Sequence, residues 1–238
     1  MYISIVMPAY NEEANIKQTV ESCIEVLKGI PGEHEVVVTD DGSLDDTGKI
    51  LKKLQKNYEN LKITENKPNK GYGAALRKAV LASSGHLIVS IDSDGQFDIK
   101  ELPLLLSQWE TNMDILSGYR KAKKDSWVKV VGDRCMNRMI RLLFQVPYKD
   151  TNCAFKIYKG DMLRNMNLEA RGFQIPTEII LKAHAKRMNI SEAPVGHRER
   201  KGGVSALTPL KTAMGMAVFL CYLRIKICLY RRNILRDV

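Results

Sequence analysis

The sequence is poor in the residues that build zinc modules and disulfide frameworks. It has four histidines and five cysteines, and no two cysteines form a CxxC pair. The histidines do not fall among the cysteines at ligand spacing, which excludes a structural zinc module. Cys23, Cys135, Cys153, Cys221 and Cys228 are odd in number and lie mostly in apolar or helical-looking stretches. They are expected to be buried, reduced thiols of a cytosolic protein. No Gly-Lys-Ser/Thr follows the Gly71-Tyr72-Gly73 segment, which excludes a Walker A loop. Low-complexity tracts and tandem repeats are missing, so disorder is not the expected state. The longest C-terminal apolar run, Ala213 to Leu223, ends at Arg224 and Lys226. It falls short of the roughly twenty apolar residues that crossing a bilayer takes. Met1 to Pro8 has no basic leader and reads as a buried strand, not a signal peptide.

What is present suits one compact core. The chain has 238 residues, of which 45% are hydrophobic, enough for a single domain with a short appendage. Lys and Arg exceed Asp and Glu by 10, and much of the excess lies after Lys121. That balance favours an anionic partner. The basic residues lack interleaved aromatics and a recognised motif, which argues against nucleic acid.

Short β-rich runs alternate with helical periods. Strands are expected at Tyr2 to Met7, Glu35 to Thr39, Leu61 to Thr64, His86 to Ile91 and Met113 to Ser117. Helices are expected at Glu12 to Lys28, Asp45 to Tyr58, Gly71 to Ser84 and Ile99 to Trp109. Beyond Lys121 come a basic amphipathic stretch from Ser126 to Gln145, a strand over Cys153 to Tyr158 and a helix over Gln174 to Met188. A strand over Ser191 to Val195 and a long helix from Leu207 to Arg232 complete the pattern. Near-continuous apolar strands alternating with helices predict an α/β fold with a mostly parallel sheet covered on both faces. Ligands of such sheets bind at the carboxyl ends of the strands.

The polar clusters lie at those ends. Asn11-Glu12 follows the first strand, Asp40-Asp41-Gly42-Ser43 the second, and Asp92-Ser93-Asp94-Gly95-Gln96 the fourth. Two carboxylates and an amide oxygen within five residues are hard ligands, suited to Mg²⁺ or Mn²⁺. Magnesium commonly takes one or two carboxylates and completes its shell with water and phosphate oxygens, so this segment suits a metal–diphosphate complex. A carboxylate at Asp40 or Asp41 is able to accept from a base or ribose hydroxyl. The glycines at 71 and 73 read mainly as close-packing positions. Arg134, Arg138 and Arg141 recur every three or four residues, on one face of a helix.

Five ordered segments together resemble a family-2 glycosyltransferase of GT-A fold, and within it the polyprenyl-phosphate transferases of the dolichol-phosphate mannosyltransferase type. They are Pro8 to Glu12, Asp40 to Thr47, Asp92 to Gln96, Asp150 to Lys156, and Pro194 to Arg200 with Gly203 and Ser205. The resemblance spans residues 3 to 206. It implies that Pro8, Tyr10, Glu12 and Asp41 hold the nucleoside, and that Asp92, Ser93 and Asp94 line the donor site. Asp94 and Gln96 would bind the metal, Mg²⁺ or Mn²⁺. Arg120 and Arg134 would bind the acceptor phosphate, and Arg200 would cover the donor phosphates, serving catalysis with Asp94. Arg138 stands where the family offers a small hydroxyl residue, and Ala206 where a lysine occurs.

The implied reaction is inverting transfer of a sugar from a nucleotide sugar, of GDP-mannose or UDP-glucose type, to a polyprenyl phosphate. The alternatives are transfer to a saccharide hydroxyl, or a nucleotide-binding regulator without turnover. A hydroxyl acceptor needs a general base, for which Glu178 is the candidate. Residues 1–206 are expected to form the catalytic domain, and 207–238 an amphipathic helix that either joins the core or lies in a membrane interface. The expected location is cytoplasmic and peripheral on the inner face of the cell membrane, with any membrane-spanning partner a separate chain.

Overall fold

The computed structural model describes residues 2–121, 127–199 and 209–238. Its centre is a seven-stranded sheet of order β3-β2-β1-β4-β6-β5-β7. The strands are β1 (Tyr2–Ala9), β2 (Glu33–Asp40), β3 (Leu61–Glu65), β4 (Leu87–Ser90), β5 (Ile115–Arg120), β6 (Lys156–Lys159) and β7 (Ile190–Val195). β1 pairs in parallel with β2 and β4, β2 with β3, and β5 with β7. β6 runs antiparallel to both β4 and β5 and joins the two parallel blocks. The expected mostly parallel sheet is therefore present, and the antiparallel β6 makes it mixed.

Period-two alternation divides the core. Ile3, Ile5 and Met7 of β1 face one layer with α1 (Ile16–Lys28), α2 (Thr47–Gln55) and α4 (Leu102–Ser107). Val6, Val37 and Ile88 face the other. There they meet α3 (Tyr72–Ala82), α5 (Trp127–Phe144), α6 (Gly160–Arg164), α7 (Ile175–Ala185) and α8 (Pro209–Arg231).

Boundaries shift where local chemistry competes with periodicity. α1 begins at Ile16, not Glu12, because the Glu12 carbonyl first closes a turn onto the Asn15 and Ile16 N–H groups. The expected helix over Ile99 to Trp109 divides into a 3₁₀ turn (Ile99–Glu101) and α4. Pro103 lacks an N–H and fits only the first turn of an α-helix, so α4 starts beside it.

Two expectations are corrected. Only Cys23 and Cys153 are buried; Cys135 and Cys221 are exposed, because they lie on the outer faces of α5 and α8. The C-terminal helix is also more apolar than its uninterrupted run suggested. Within Thr212–Arg231 an 18-residue window has a mean hydropathy of 1.6, and the segment is long and apolar enough, by length and composition, to cross a membrane. Yet α8 lies along the body: Met216, Leu220, Leu223 and Ile227 are buried in the core. Met214, Val218 and Ile225 point to solvent on its opposite face, and Tyr222 stands at the margin with its hydroxyl on Glu169.

Candidate active site

The loops after β1 and β2 are laced together. The Asn11 N–H donates to the Ser43 hydroxyl at 3.0 Å, and the Glu12 N–H to the Thr47 hydroxyl at 2.8 Å. The Leu44 N–H returns to the Asn11 carboxamide oxygen at 2.8 Å. Asn11 adopts the left-handed conformation, φ 53°, which a short amide side chain tolerates. These bonds set Pro8, Tyr10 and Glu12 beside Asp40 and Asp41 at one sheet edge. Pro8 and Glu12 are buried, and Tyr10 is half-buried. Asn15 donates to the Glu12 carboxylate at 3.0 Å.

Asp41 faces a third loop. Its Oδ1 accepts from the Asn66 amide at 2.8 Å and the Lys70 N–H at 3.0 Å, and its Oδ2 from the Gly71 N–H at 2.8 Å. Asp41 thus organises residues 66–71 as well as lining the edge. Gly42 (φ 74°) permits the approach, since a Cβ there would lie 2.9 Å from the Asn69 nitrogen.

The acidic segment leaves β4 directly into this edge. Ser93 is buried, and its carbonyl accepts from the Thr19 hydroxyl of α1 at 3.2 Å. The Tyr72 hydroxyl donates to Asp92 at 2.7 Å, while the Tyr72 ring stacks on Phe173 with centroids 4.9 Å apart. Burial and the nearby charge of Asp94 push the Asp92 carboxyl up to about 7; the Tyr72 hydrogen bond and the Arg120 charge pull the other way. Two crowded carboxylates of this kind are what a divalent cation relieves.

Asp94 accepts from the Gln96 N–H at 3.0 Å across Gly95 (φ 73°). The Gln96 amide NH₂ donates to the Arg198 carbonyl at 3.2 Å, so the ligand atom Gln96 retains is its amide oxygen. Among the described residues no three His, Cys, Asp or Glu side chains converge as a metal cage. The donor set therefore fits a hard cation that takes few protein ligands and completes its shell from phosphate and water.

The segment after β7 covers this loop. The Arg198 N–H donates to the Gln96 carbonyl at 2.8 Å, Arg198 ion-pairs with Asp98, and the His197 ring meets Phe97 edge-on at 5.3 Å. His197 is buried beside the acidic loop. It received no role of its own in the sequence, where it is one residue of a longer motif. Arg200, assigned there to the donor phosphates and to catalysis, lies outside the described residues.

A basic cavity of about 460 Å³ adjoins the site, lined by Tyr119, Arg120, Arg134, Asn137, Arg141 and Lys149 among others. Arg120 and Arg134 are thus brought together, in different states. Arg120 is clamped by Asp150 at 2.7 and 2.9 Å and by Asp133 at 2.7 Å. Burial opposes its charge, but these carboxylates outweigh burial and raise its pKa. Arg134 is exposed. Arg138 does not share the cavity; it borders an apolar groove with Cys135, Met139, Leu142 and Leu143. The single arginine face read from spacing is therefore two faces.

Glu178 is fully buried and is no base in waiting. Its oxygens accept from the Glu169 and Ala170 N–H groups, both at 2.8 Å, and it pairs with buried Lys182 at 2.9 Å. It holds the 169–171 loop, on which the glycines pack. The Gly73 N–H donates to the Arg171 carbonyl, and a Cβ at Gly73 would lie 2.4 Å from the Ala170 oxygen.

Comparison with known proteins places this geometry. Residues 4–171 match the family model described as glycosyl transferase family 2. The undecaprenyl-phosphate 4-deoxy-4-formamido-L-arabinose transferase of Proteus mirabilis is 29% identical over 88% of this chain and 64% of its own. The dodecaprenyl-phosphate galacturonate synthase of Rhizobium johnstonii is 31% identical over 85% of this chain and 61% of its own. The chain thus spans about three fifths of the length of these two relatives. A dolichyl-phosphate beta-glucosyltransferase of Trichomonas vaginalis is 28% identical over 98% of this chain and 75% of its own. Among solved structures, glucosyl-3-phosphoglycerate synthase of Mycobacterium tuberculosis, in complex with Mn²⁺, UDP and glucosyl-3-phosphoglycerate, superposes with a TM-score of 0.71. It is 20% identical, and the match covers 95% of this chain and 80% of that one. The fold is GT-A. With the family model matching well over half its length, the chain belongs to glycosyl transferase family 2.

Proposed function

We propose that this chain transfers a sugar from a nucleotide sugar to a polyprenyl phosphate, with inversion at the anomeric carbon. The observation that carries the reading is the junction of two charge centres. The carboxylates of Asp92 and Asp94 follow the end of β4, and Arg120 ends β5 in the same sheet and lines the basic cavity on α5. The three relatives named above support it, since each is named for a polyprenyl or dolichyl phosphate.

In this reading Pro8, Tyr10, Glu12 and Asp41 hold the nucleoside of a GDP-mannose or UDP-glucose type donor. Asp92 and Ser93 line the diphosphate. Asp94 and the Gln96 amide oxygen would hold Mg²⁺ or Mn²⁺, which supplies positive charge to the departing nucleoside diphosphate. Arg200 adds to that charge from the segment after His197. Arg134 binds the acceptor phosphate, and Arg120 braces it from the cavity floor. A phosphate oxygen is already anionic near neutral pH. It attacks the anomeric carbon, a new C–O bond forms, and the bond to the nucleoside diphosphate breaks. No side-chain base is required, which agrees with Glu178 being spent on the 169–171 loop.

A lipid acceptor calls for a bilayer nearby. The solvent face of α8 (Met214, Val218 and Ile225), followed by Arg231, Arg232 and Arg236, suits peripheral attachment to the inner face of the cell membrane. The 238-residue chain carrying Val218→Asp and Ile225→Asp should lose liposome co-sedimentation; unchanged binding would remove α8 as the anchor. Activity is tested with purified protein, Mg²⁺ or Mn²⁺, labelled nucleotide sugars and a polyprenyl phosphate. Failure to form lipid-linked product with any donor defeats the proposal, and product only on saccharide acceptors transfers the reaction to a hydroxyl.

A further inference from the structure

The lining of the basic cavity carries more charge than Arg120 and Arg134 account for. α5 presents Val130, Arg134, Asn137 and Arg141 to it, spaced by four, three and four residues along one stripe. Lys149 closes the opposite wall from the loop before β6. That wall is fixed. The Lys149 N–H donates to the Glu192 carboxylate at 2.9 and 3.1 Å, and the Lys149 ammonium stands 4.3 Å from the centre of the Tyr119 ring. Asn137 ties the two walls together: its oxygen accepts from the Thr151 N–H at 3.1 Å, and its NH₂ donates to the Asp133 carbonyl at 3.0 Å.

The charges divide unequally. Asp150 and Asp133 together bring two negative charges to Arg120, so its guanidinium is already held by carboxylates of this chain. Lys121, Arg134, Arg141 and Lys149, which all line the cavity, have no ion-pair partner among the described residues. Cations gathered around one cavity repel each other unless an anion joins them, and Arg134, Arg141 and Lys149 stand on its two facing walls, α5 and the loop before β6. We propose that Arg141 and Lys149, with Arg134, are ligands of the acceptor's phosphate monoester, and that Arg120 is the brace beneath them and not a principal ligand. This rests on the reading of the acceptor as a phosphate. A monoester carries nearly two negative charges near neutral pH and offers three acceptor oxygens to such a set of donors.

The test separates binding from turnover. Calorimetric titration of the full chain with a short-chain prenyl phosphate, and separately with inorganic phosphate, measures the site without any sugar transfer. Arg141→Ala and Lys149→Ala should each weaken binding about tenfold, the scale of one charge-assisted hydrogen bond. Arg138→Ala, one turn away on the apolar groove, is the control and should bind as the parent does. In the transfer assay the same two variants should raise KM for polyprenyl phosphate about tenfold and leave KM for the donor unchanged.

Parent-like phosphate binding by both variants overturns the proposal. So does an equal loss in Arg138→Ala, which would mean diffuse attraction to a basic helix, and so does a parent protein that binds neither phosphate. Inorganic phosphate bound as tightly as the prenyl ester supports a site that reads phosphate alone. Tighter prenyl phosphate supports one that also reads the lipid. If the parent binds prenyl phosphate through Arg141 and Lys149 but transfers no sugar to it, the site stands and the proposed reaction falls.

Discussion

Glu178→Gln separates a structural carboxylate from a catalytic one. In the parent, two backbone N–H groups point at the Glu178 oxygens from 2.8 Å, and Lys182 completes the pair at 2.9 Å in a fully buried setting. Glutamine keeps the volume but offers one acceptor oxygen. Its NH₂ must face a second donor, either a backbone N–H or the Lys182 ammonium. The change leaves one buried donor unsatisfied, at about 1–3 kcal/mol, and halves the anionic surroundings of a buried lysine. Lys182 retains Glu169 at 2.8 Å, so the cost stays below that of a fully orphaned charge. A total of about 2–4 kcal/mol lowers the melting temperature of a chain this size by roughly 4–16 °C. Thermal unfolding by circular dichroism reads it, beside the transfer rate below the melt. A general base would behave in the opposite way, with kcat falling by about 10²–10⁴ and little change in stability. An unchanged melt with a hundredfold loss of kcat would refute the structural assignment and reopen a hydroxyl acceptor.

Asp94→Asn should remove most transfer activity, at least about a hundredfold, while the melting curve stays within a few degrees of the parent; parent-like turnover contradicts the metal assignment. Gly73→Ala should destabilise the chain by about 1–3 kcal/mol, because its Cβ would meet the Ala170 oxygen at 2.4 Å and displace Tyr72 from Asp92. Denaturant unfolding measures the first effect and kcat the second. The last expectation concerns acid. Burial works to raise the Glu169 carboxyl, but hydrogen bonds from Lys182, Lys226 and Tyr222 outweigh it and bring it down to about 2. A folded pKa below the unfolded value gives stability that is complete above about pH 4.3 and is lost as pH falls toward 2. Glu169→Gln should therefore flatten the decline in unfolding free energy between pH 5 and pH 2.5; an unchanged slope removes Glu169 as its source.

Sequence patterning carried the sheet and the acidic loops because both are local. Continuous apolar runs such as Val36-Val37-Val38 declare a buried strand, and the candidate metal-binding segment Asp92 to Gln96 lies within five residues. Strand direction is different: the apolar pattern of Lys156–Lys159 is the same read either way, so its antiparallel placement was hidden. The compensation of Arg120 was hidden because its partners stand 13 and 30 residues away. Glu178 did leave a signal. In Ile175–Ala185 nearly every other position is apolar, and the helix is buried on all sides. A Glu and a Lys four residues apart in such a helix are a buried pair before they are a catalytic group.

The same helix pair explains why the C-terminal segment reads as both core and membrane element. Lys226 and Tyr222 of α8 bond to Glu169 at 2.6 and 2.8 Å, and Glu169 shares Lys182 with Glu178. Glu178 holds the backbone of the loop on which Gly71 and Gly73 pack, and between those glycines stands Tyr72, bonded to Asp92. One face of α8 is thus tied by a continuous run of contacts to the acidic loop, while the other is apolar and exposed. A helix anchored only by greasy contacts would be free to leave the body for the bilayer. Charged bonds on its inner face oppose that, because separating them would take Lys226 and Tyr222 away from Glu169, the carboxylate that also pairs with buried Lys182. The arrangement favours a helix that lies along the surface with the protein's body attached, keeping the basic cavity of α5, which packs beside α8, close to where a lipid phosphate would be presented.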